Sequence, residues 1–260
     1  MDIAENNVKK NADRLKLKFR ILILQSVLSW FAIIPMGTII VFLMRYVMGY
    51  RIENIREVRR TFKELTKTKQ PILICPNHLT MIDSIILIWA CGSLCWYIFH
   101  FEKYSWNVPA VENFKNTKLR SLVTFLGKSI PVDRNGSKEH LDLVVQKTIY
   151  LMKKGEVFTY FAEGGRSRTA KIDIDNIRYG VGKLAVEFPD IKVICVYMRG
   201  DSQKGYSEIP AKGEKFEITF QELFPKTQYT GLRAHRDIST QIIQTMKNME
   251  NEYFERHQSG

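Results

Sequence analysis

The sequence predicts an α/β protein in which a mixed sheet is flanked by helices, with a membrane-associated helical hairpin at the amino terminus. Short apolar runs alternate with longer helical segments, and a stretch near the start of the chain lacks charge. With 260 residues, 45% of them hydrophobic and 25% charged, the chain can bury a sizeable core. This composition excludes a mainly disordered chain, a collagen and a polytopic transporter.

The uncharged stretch comprises 24 residues, 21–44, between Arg20 and Arg45. About 20 apolar residues suffice to cross a bilayer, but Pro35 and Gly37 interrupt a helix here. Basic residues flank both ends: Lys9, Lys10, Arg14, Lys16, Lys18 and Arg20 before it, and Arg45, Arg51, Arg56, Arg59 and Arg60 after it. Positive charge marks the cytoplasmic side, so both flanks on one side favour a hairpin dipping into one leaflet. A single span and a soluble core helix are the alternatives.

This segment divides the chain at residue 52. We expect residues 1–52 to form a basic, membrane-embedded unit and residues 53–260 to form the α/β domain. Arg20, Trp30, Phe31 and Arg45 are the predicted membrane contacts. The chain carries 39 Lys+Arg against 27 Asp+Glu, a net charge of +12. This charge indicates an anionic partner, which could be nucleic acid, an anionic membrane or a phosphorylated substrate.

The elements of the α/β domain begin with residues 53–69, which are polar and basic and predict a helix. PILICP, residues 71–76, is a short apolar run bounded by prolines and predicts a buried strand. Residues 80–91 predict an apolar helix and residues 115–126 another helix. SIPV, residues 129–132, is a strand candidate.

The second half continues the alternation. Residues 137–154 predict a helix because Gly155 stands just past its end, and VFTYFA, residues 157–162, predicts a strand. Residues 177–188 predict a helix, and KVICVYM, residues 192–198, a buried strand. A half-buried strand is predicted at 215–220 from its alternating pattern, and the last 25 residues predict a polar helix.

The first chemical motif, NHLTMID, follows the strand at 71–76 and opens an apolar helix. On a continuous helix His78 and Asp83 would point about 140° apart. If His78 lies on the turn before the helix, Thr80 becomes the N-cap, and Asp83 can reach back to the histidine ring. A carboxylate on one ring nitrogen leaves the other free to act as a base. A helix cap with a satisfied histidine is the alternative.

The second motif, FAEGGRSRT, follows the strand at 157–162. Gly164 and Gly165 permit positive φ, which exposes consecutive N–H groups as a site for an anion. Arg166 and Ser167 add donors for phosphate. An ordinary turn with solvated arginines is the alternative, as it is for Arg134 in the third motif, PVDRNG. Ligands of α/β sheets gather at such strand ends.

These residues resemble the motifs of the glycerophospholipid acyltransferases, a family that includes 1-acylglycerol-3-phosphate and glycerol-3-phosphate acyltransferases. His78 and Asp83 match the family's H-x4-D signature, and Glu163 to Ser167 resemble its E-G-x-R-S block. PVDRNG looks like the intervening block that contains an arginine. Order and spacing are similar over about residues 70–200.

The resemblance implies roles for individual residues. His78 would be the general base, and Asp83 would orient it. Arg134, Glu163, Gly164, Gly165, Arg166 and Ser167 would form the site for the acceptor phosphate. The acceptor hydroxyl would attack an acyl thioester directly, with acyl-CoA or acyl carrier protein as co-substrate and no metal or cofactor. The protein would lie on the cytoplasmic face of the cell inner membrane.

The acceptor is open at this point. Leu79-Thr80 and Gly165 depart from the residues that members acting on lysophosphatidate often carry. These departures keep several acceptors open. We expect lysophosphatidate, which would give phosphatidic acid, as the first candidate, followed by another lysolipid, a lipoamino acid or glycerol 3-phosphate. A non-enzymatic membrane adaptor is a further alternative. A serine lipase is not predicted because G-x-S-x-G is absent, and a nucleic-acid partner is not predicted because the sequence contains no zinc-finger or RNA-binding motif.

Four cysteines exclude a disulfide scaffold. Cys91 and Cys95 have the spacing of half a zinc site, but no second Cys or His pair lies nearby. We expect Cys75, Cys91, Cys95 and Cys195 to be buried free thiols.

Overall fold

The computed structural model describes residues 2–114, 117–175 and 177–258. Within this part of the chain, six strands form one sheet: β1 (Arg51–Ile52), β2 (Ile72–Pro76), β3 (Trp106–Asn107), β4 (Phe158–Thr159), β5 (Lys192–Gly200) and β6 (Lys215–Leu223). Their order is β1-β6-β5-β2-β4-β3. β5 and β6 are antiparallel and all other neighbours are parallel, which confirms the predicted mixed sheet.

Helices cover both faces of this sheet. They are α1 (Asp2–Phe42), α2 (Ile55–Leu65), α3 (Asp83–Cys91), α4 (Leu94–Phe99), α5 (Lys118–Leu126), α6 (Lys138–Met152), α7 (Gly180–Ala185) and α8 (Gly231–Gln258). The side chains of Lys9, Lys10, Arg14, Lys16 and Lys18 lie outside the described part, as do residues 115 and 116 of the helix predicted at 115–126.

The alternation of side chains along β2 builds two cores. Leu73 and Cys75 face one side, where they join the apolar side chains of α6, α7 and α8. Ile72 and Ile74 face the other side and join those of α2 and α3. β2 is buried along its whole length, as expected of a central parallel strand. The loop that follows β2 is therefore held on a rigid support.

Several predicted elements are shorter than expected. The strand predicted at 157–162 is reduced to Phe158–Thr159, and the helix predicted at 177–188 to Gly180–Ala185. The strand candidate at 129–132 forms only two isolated parallel bridges, Ser129 with Asn107 and Val132 with Ala110. The two strand segments lie at or beside the edge of the sheet, where the neighbouring β3 offers only two residues for pairing.

The predicted amino-terminal hairpin is wrong, because α1 is one helix that runs through Pro35. A π-helical turn, Leu43–Val47, follows it directly. Gly37 serves close packing rather than a chain reversal: a Cβ atom there would lie 2.6 Å from Leu94 Cδ2 of α4. Contact along α4 and α5 stabilises the continuous helix, which outweighs the local cost of a proline inside it.

Side-chain hydrogen bonds hold α1 against the rest of the protein. The amide nitrogen of Gln25 donates to the carbonyls of Phe125 and Ser129, both at 2.9 Å. The indole N–H of Trp30 donates to the carbonyl of Ile98 at 3.0 Å. Phe19–Val47 is the one helix of the described residues that is long and apolar enough to cross a membrane.

Candidate active site

The predicted histidine and aspartate meet at the end of β2. His78 lies on the loop after this strand, and Asp83 is the first residue of α3. Nδ1 of His78 lies 3.0 Å from Oδ2 of Asp83. Asp83 is buried, whereas the His78 side chain is 17% exposed. The turn between the two residues brings together side chains that a continuous helix would separate.

That turn also holds the Asp83 carboxylate. Oδ2 accepts the backbone N–H groups of Leu79 at 2.6 Å and Thr80 at 2.8 Å, and Oδ1 accepts the Thr80 hydroxyl. The predicted capping role of Thr80 is wrong, because α3 begins only at Asp83 and Ile82 takes the N-cap position without a side-chain hydrogen bond. The donors of Thr80 fix the carboxylate against the histidine instead.

The His78 ring keeps its second nitrogen available. To donate to the Asp83 carboxylate, Nδ1 must carry the proton, which leaves a lone pair on Nε2. Within the described part of the chain Nε2 has no hydrogen-bond partner. The ring stacks on Phe161, with centroids 4.0 Å apart. This arrangement suits a general base that accepts a proton from a substrate.

The loop after β4 clamps the backbone of the same histidine. The N–H of His78 donates to Oε1 of Glu163, and the N–H of Ser167 donates to the carbonyl of His78, both at 2.8 Å. The Ser167 hydroxyl donates to the carbonyl of Lys171 at 2.6 Å. Because β2 and β4 are parallel neighbours, their carboxyl ends bring these two motifs together. The backbone N–H and the hydroxyl of Ser167 therefore both stabilise the loop.

Burial gives Glu163 an unusual titration. It raises the pKa of Glu163 to about 8, and the negative charges of Glu250, Asp83 and Asp173 add to the rise, against the lowering effect of the His78 N–H. Near neutral pH this carboxyl is mainly protonated. A bound anion beside it therefore meets little repulsion.

The two glycines of this loop differ in conformation. Gly164 has a φ of 69°, and a Cβ atom there would lie 2.5 Å from Cγ of Arg178. Gly165 does not take positive φ, so that expectation is correct only for Gly164. Among the described residues the backbone N–H groups of Gly165 and Arg166 have no acceptor. Two adjacent free N–H groups are suited to an anion.

The side chain of Arg166 makes no hydrogen bond to the described residues. Its Nη1 is buried and has no acceptor in the described part of the chain. The Cζ atoms of Arg166 and Arg168 lie 5.3 and 5.9 Å from the ring centroid of Tyr206. Arg168, two residues along the loop, therefore lies at the same ring as Arg166.

Two further arginines lie near this loop. Arg134 occupies an exposed turn. Its positive charge opposes the rise that burial causes in the pKa of Tyr160, the residue that precedes Phe161 in the sequence. Arg178 packs against Gly164. Sequence reasoning missed Arg178 and Tyr206, since neither stands in a motif and only the folded chain brings them to the loop.

An apolar cavity of about 670 Å³ adjoins the histidine loop. It lies between α1, α3, α4 and α5, and Met81 and Ile82 line it beside the His78 turn. Ile85 and Trp89 of α3 line it as well, whereas Ile86 is fully buried in the core between α3 and the sheet. The volume lies in the range of small-molecule sites.

The cysteines lie apart from this chemistry. Cys75, Cys91 and Cys195 are buried free thiols, as predicted, but Cys95 is exposed on the short helix α4. Burial raises the pKa of Cys195 to about 12, so this thiol stays protonated and unreactive. The described residues contain no group of three His, Cys, Asp or Glu side chains that could hold a metal ion.

In a comparison with protein families, the family model described as Acyltransferase matches residues 51–199. This range includes the His78 turn, the Arg134 turn and the Glu163–Ser167 loop. A search of curated proteins finds no match for the chain.

Proposed function

Since the chain belongs to the acyltransferase family, we propose that it moves a fatty acyl group from an acyl thioester to the free hydroxyl of a lysophospholipid. The proposed acceptor is 1-acylglycerol 3-phosphate, which would give phosphatidic acid. The donor is acyl-CoA or acyl carrier protein. The observation that carries this proposal is the 3.0 Å contact between His78 Nδ1 and Asp83 Oδ2, which leaves Nε2 without a partner among the described residues.

In the proposed reaction, Nε2 of His78 takes the proton from the acceptor hydroxyl. The oxygen then attacks the carbonyl carbon of the thioester. The carbon–sulfur bond breaks, the ester remains on the acceptor, and the thiol leaves with the proton that the imidazolium returns. Asp83 stabilises the imidazolium while it carries this proton. The free N–H groups and Arg166 support binding of the acceptor phosphate.

The apolar cavity is the proposed binding site for the acyl chain of the donor. It begins beside the catalytic turn and extends along α3 between apolar side chains. Each methylene buried there would contribute about 0.8 kcal/mol. A charged headgroup would lose its hydration in the same place, which favours the hydrocarbon as occupant.

We further propose that α1 holds the protein on the cytoplasmic face of the inner membrane as a monotopic protein. Its outward side exposes large apolar side chains, among them Trp30 and Phe31 at 40% and 67% exposure. Arg20 and the exposed Arg45 stand at the two ends of this surface. The opposite side of α1 packs on α4 and α5, which favours a helix lying at the membrane surface over a free span.

The test is an assay of the purified protein with labelled acyl thioester and a panel of lysophosphatidate, other lysolipids, lipoamino acids and glycerol 3-phosphate. We expect transfer to lysophosphatidate and its loss in His78→Ala. The melting temperature of the variant is measured beside it to establish that the variant is folded. Turnover by folded His78→Ala at the wild-type rate would refute the mechanism, and transfer only to acceptors without phosphate would refute the acceptor.

A further inference from the structure

Tyr206 lies against Arg166 and Arg168 of the loop after β4 but belongs to a different part of the chain. Its loop, residues 201–214, joins the antiparallel strands β5 and β6. The ring lies within cation–π distance of both Arg166 and Arg168. Tyr206 is 41% exposed, so burial in a core does not account for this position.

The base of the loop is anchored by its own side chains. Oε1 of Gln203 accepts the N–H of Gly200 at 2.8 Å. Oε1 of Glu214 accepts the N–H of Ser202, also at 2.8 Å. These bonds hold the residues next to the ends of both strands.

The middle of the loop is anchored to the catalytic turn and to the segment after α1. The carbonyl of Glu208 accepts the N–H of Met81 at 2.9 Å, and the carbonyl of Pro210 accepts the hydroxyl of Tyr50 at 2.7 Å. Tyr206 lies between these two sets of anchors. Its position relative to the His78 turn is therefore set by the fold.

The guanidinium of Arg166 contacts this ring and no hydrogen-bond acceptor of the described residues. Among the described residues it donates no hydrogen bond, although its Nη1 is buried. An arginine held by hydrogen bonds would have its donors occupied. A ring instead contacts the face of the guanidinium and leaves the N–H groups at its edge unused.

We propose that Tyr206 is a positioning residue that holds the guanidinium of Arg166 ready for the acceptor phosphate. This inference rests on the proposed function, in which Arg166 binds that phosphate. The Tyr206 hydroxyl has no partner in the described part of the chain, so the aromatic ring, and not the hydroxyl, supplies the effect.

The experiment compares Tyr206→Ala with Tyr206→Phe in steady-state kinetics, with acceptor and donor varied separately. Loss of the ring in Tyr206→Ala should raise the acceptor KM about three- to tenfold and leave kcat and the donor KM unchanged. Tyr206→Phe should restore the acceptor KM to within about twofold of the wild type, because the ring is retained. Tyr229→Ala, which removes an exposed tyrosine from the segment between β6 and α8, is the matched control.

A double-mutant cycle then tests the link to Arg166. In an Arg166→Ala background, Tyr206→Ala should change the acceptor KM by less than about twofold, because the ring has no Arg166 guanidinium to hold. An equal effect in both backgrounds would overturn the proposal. So would a Tyr206→Phe variant as impaired as Tyr206→Ala, or a fall in kcat without a change in acceptor KM.

Calorimetric titration with glycerol 3-phosphate separates this inference from the proposed function. Weaker binding by Tyr206→Ala supports positioning even if the wild-type protein transfers no acyl group, in which case the proposed function fails alone. Wild-type binding and wild-type acceptor KM in an active Tyr206→Ala would refute positioning and leave the proposed function standing.

Discussion

At the residue scale, Asp83 does more than face the histidine. Its carboxylate accepts from Leu79, from Thr80 and from the His78 ring at once. An asparagine at this position replaces one oxygen with an N–H donor and cannot accept all of these bonds. We expect Asp83→Asn to lower kcat by roughly 10³–10⁴, since the ring then loses its correct tautomer.

Circular dichroism melting controls for unfolding, because the turn around Asp83 also loses a bond, at a cost of about 1–3 kcal/mol. A folded Asp83→Asn with wild-type kcat would show that the carboxylate only caps the turn.

The titration of Glu163 makes stability depend on pH. Its folded pKa is about 8, against an ordinary carboxyl value of 4.5. Between these values the folded chain binds more protons than the unfolded chain, so this group lowers the free energy of unfolding as the pH rises. Glu163→Gln keeps an oxygen for the His78 N–H and removes the titration. Its free energy of unfolding should therefore fall less than that of the wild type between about pH 5 and pH 8.

Urea unfolding of both proteins at several pH values in this window measures the difference. If the free energy of unfolding changes equally with pH in wild type and Glu163→Gln, the Glu163 carboxylate is ionised in the folded protein at neutral pH and the prediction is wrong.

Arg166 offers a test of the phosphate site itself. A charge-assisted contact contributes about 1.5–3 kcal/mol, so Arg166→Ala should raise the acceptor KM roughly ten- to a hundredfold and spare the donor KM. Arg166→Lys should recover only part of this loss, because a point charge lacks the planar fork. Arg236→Ala, at an exposed arginine of α8, is the control. An unchanged acceptor KM in Arg166→Ala would mean that the phosphate binds elsewhere.

Sequence reasoning reached part of this site. The meeting of His78 and Asp83 is predicted by their place between a strand and a helix, and the contact at 3.0 Å agrees with that expectation. The rings of Phe161 and Tyr206 escape such reasoning. Their contacts arise from the packing of separate strand ends, and residue spacing carries no signal for them.

At the element scale, two adjacent residues of α3 separate a wall of the apolar cavity from a core face. Ile85 lines the cavity, whereas Ile86 is fully buried against the sheet. Ile85→Phe should narrow the cavity and disfavour donors with long acyl chains. If two methylenes are excluded, the kcat/KM ratio of short to long donors should rise about tenfold.

Ile86→Val is the matched control for this change. It should cost about 1 kcal/mol of stability and leave chain-length preference unaltered. Competition between thioesters of different lengths measures the preference. If Ile85→Phe behaves like Ile86→Val, the cavity does not hold the acyl chain.

The elements themselves were predicted unevenly, for physical reasons. A long apolar strand such as β5 can be predicted from its composition. β1 and β3 have two residues each, which is too few to show an alternating pattern. Pro35 and Gly37 predict a break in the amino-terminal helix, but the helix continues through both residues. The close approach of Leu94 to Gly37 depends on tertiary packing, which overrides the local propensity.

At the scale of the whole molecule, one side of α1 packs on the protein and the other exposes large apolar side chains. Leu22 belongs to the core that contains α6 to α8, and Met44 to the core that contains α2 and α3. If the protein is monotopic, both ends of α1 should face the same compartment. The test introduces Ala12→Cys or Arg56→Cys separately, in a Cys95→Ser background because Cys95 is exposed.

Because Cys75, Cys91 and Cys195 are buried, only the introduced thiol is exposed in each variant, and both variants should react with a membrane-impermeant thiol reagent from the same side of sealed vesicles. Reaction from opposite sides would replace the monotopic arrangement with a single span.

The shared wall between α1 and the cavity has a consequence for handling the protein. Ile33, Ile40 and Met44 of the segment that would meet the bilayer also line the space proposed for the acyl chain. A detergent needed to cover the exposed side of α1 has an alkyl tail, which resembles an acyl chain and would fit the cavity on the opposite side of the helix. Detergent monomers should then compete with the thioester, more strongly as their tails lengthen and already below the concentration at which micelles form. The choice of solubilising agent would thus alter the apparent donor affinity.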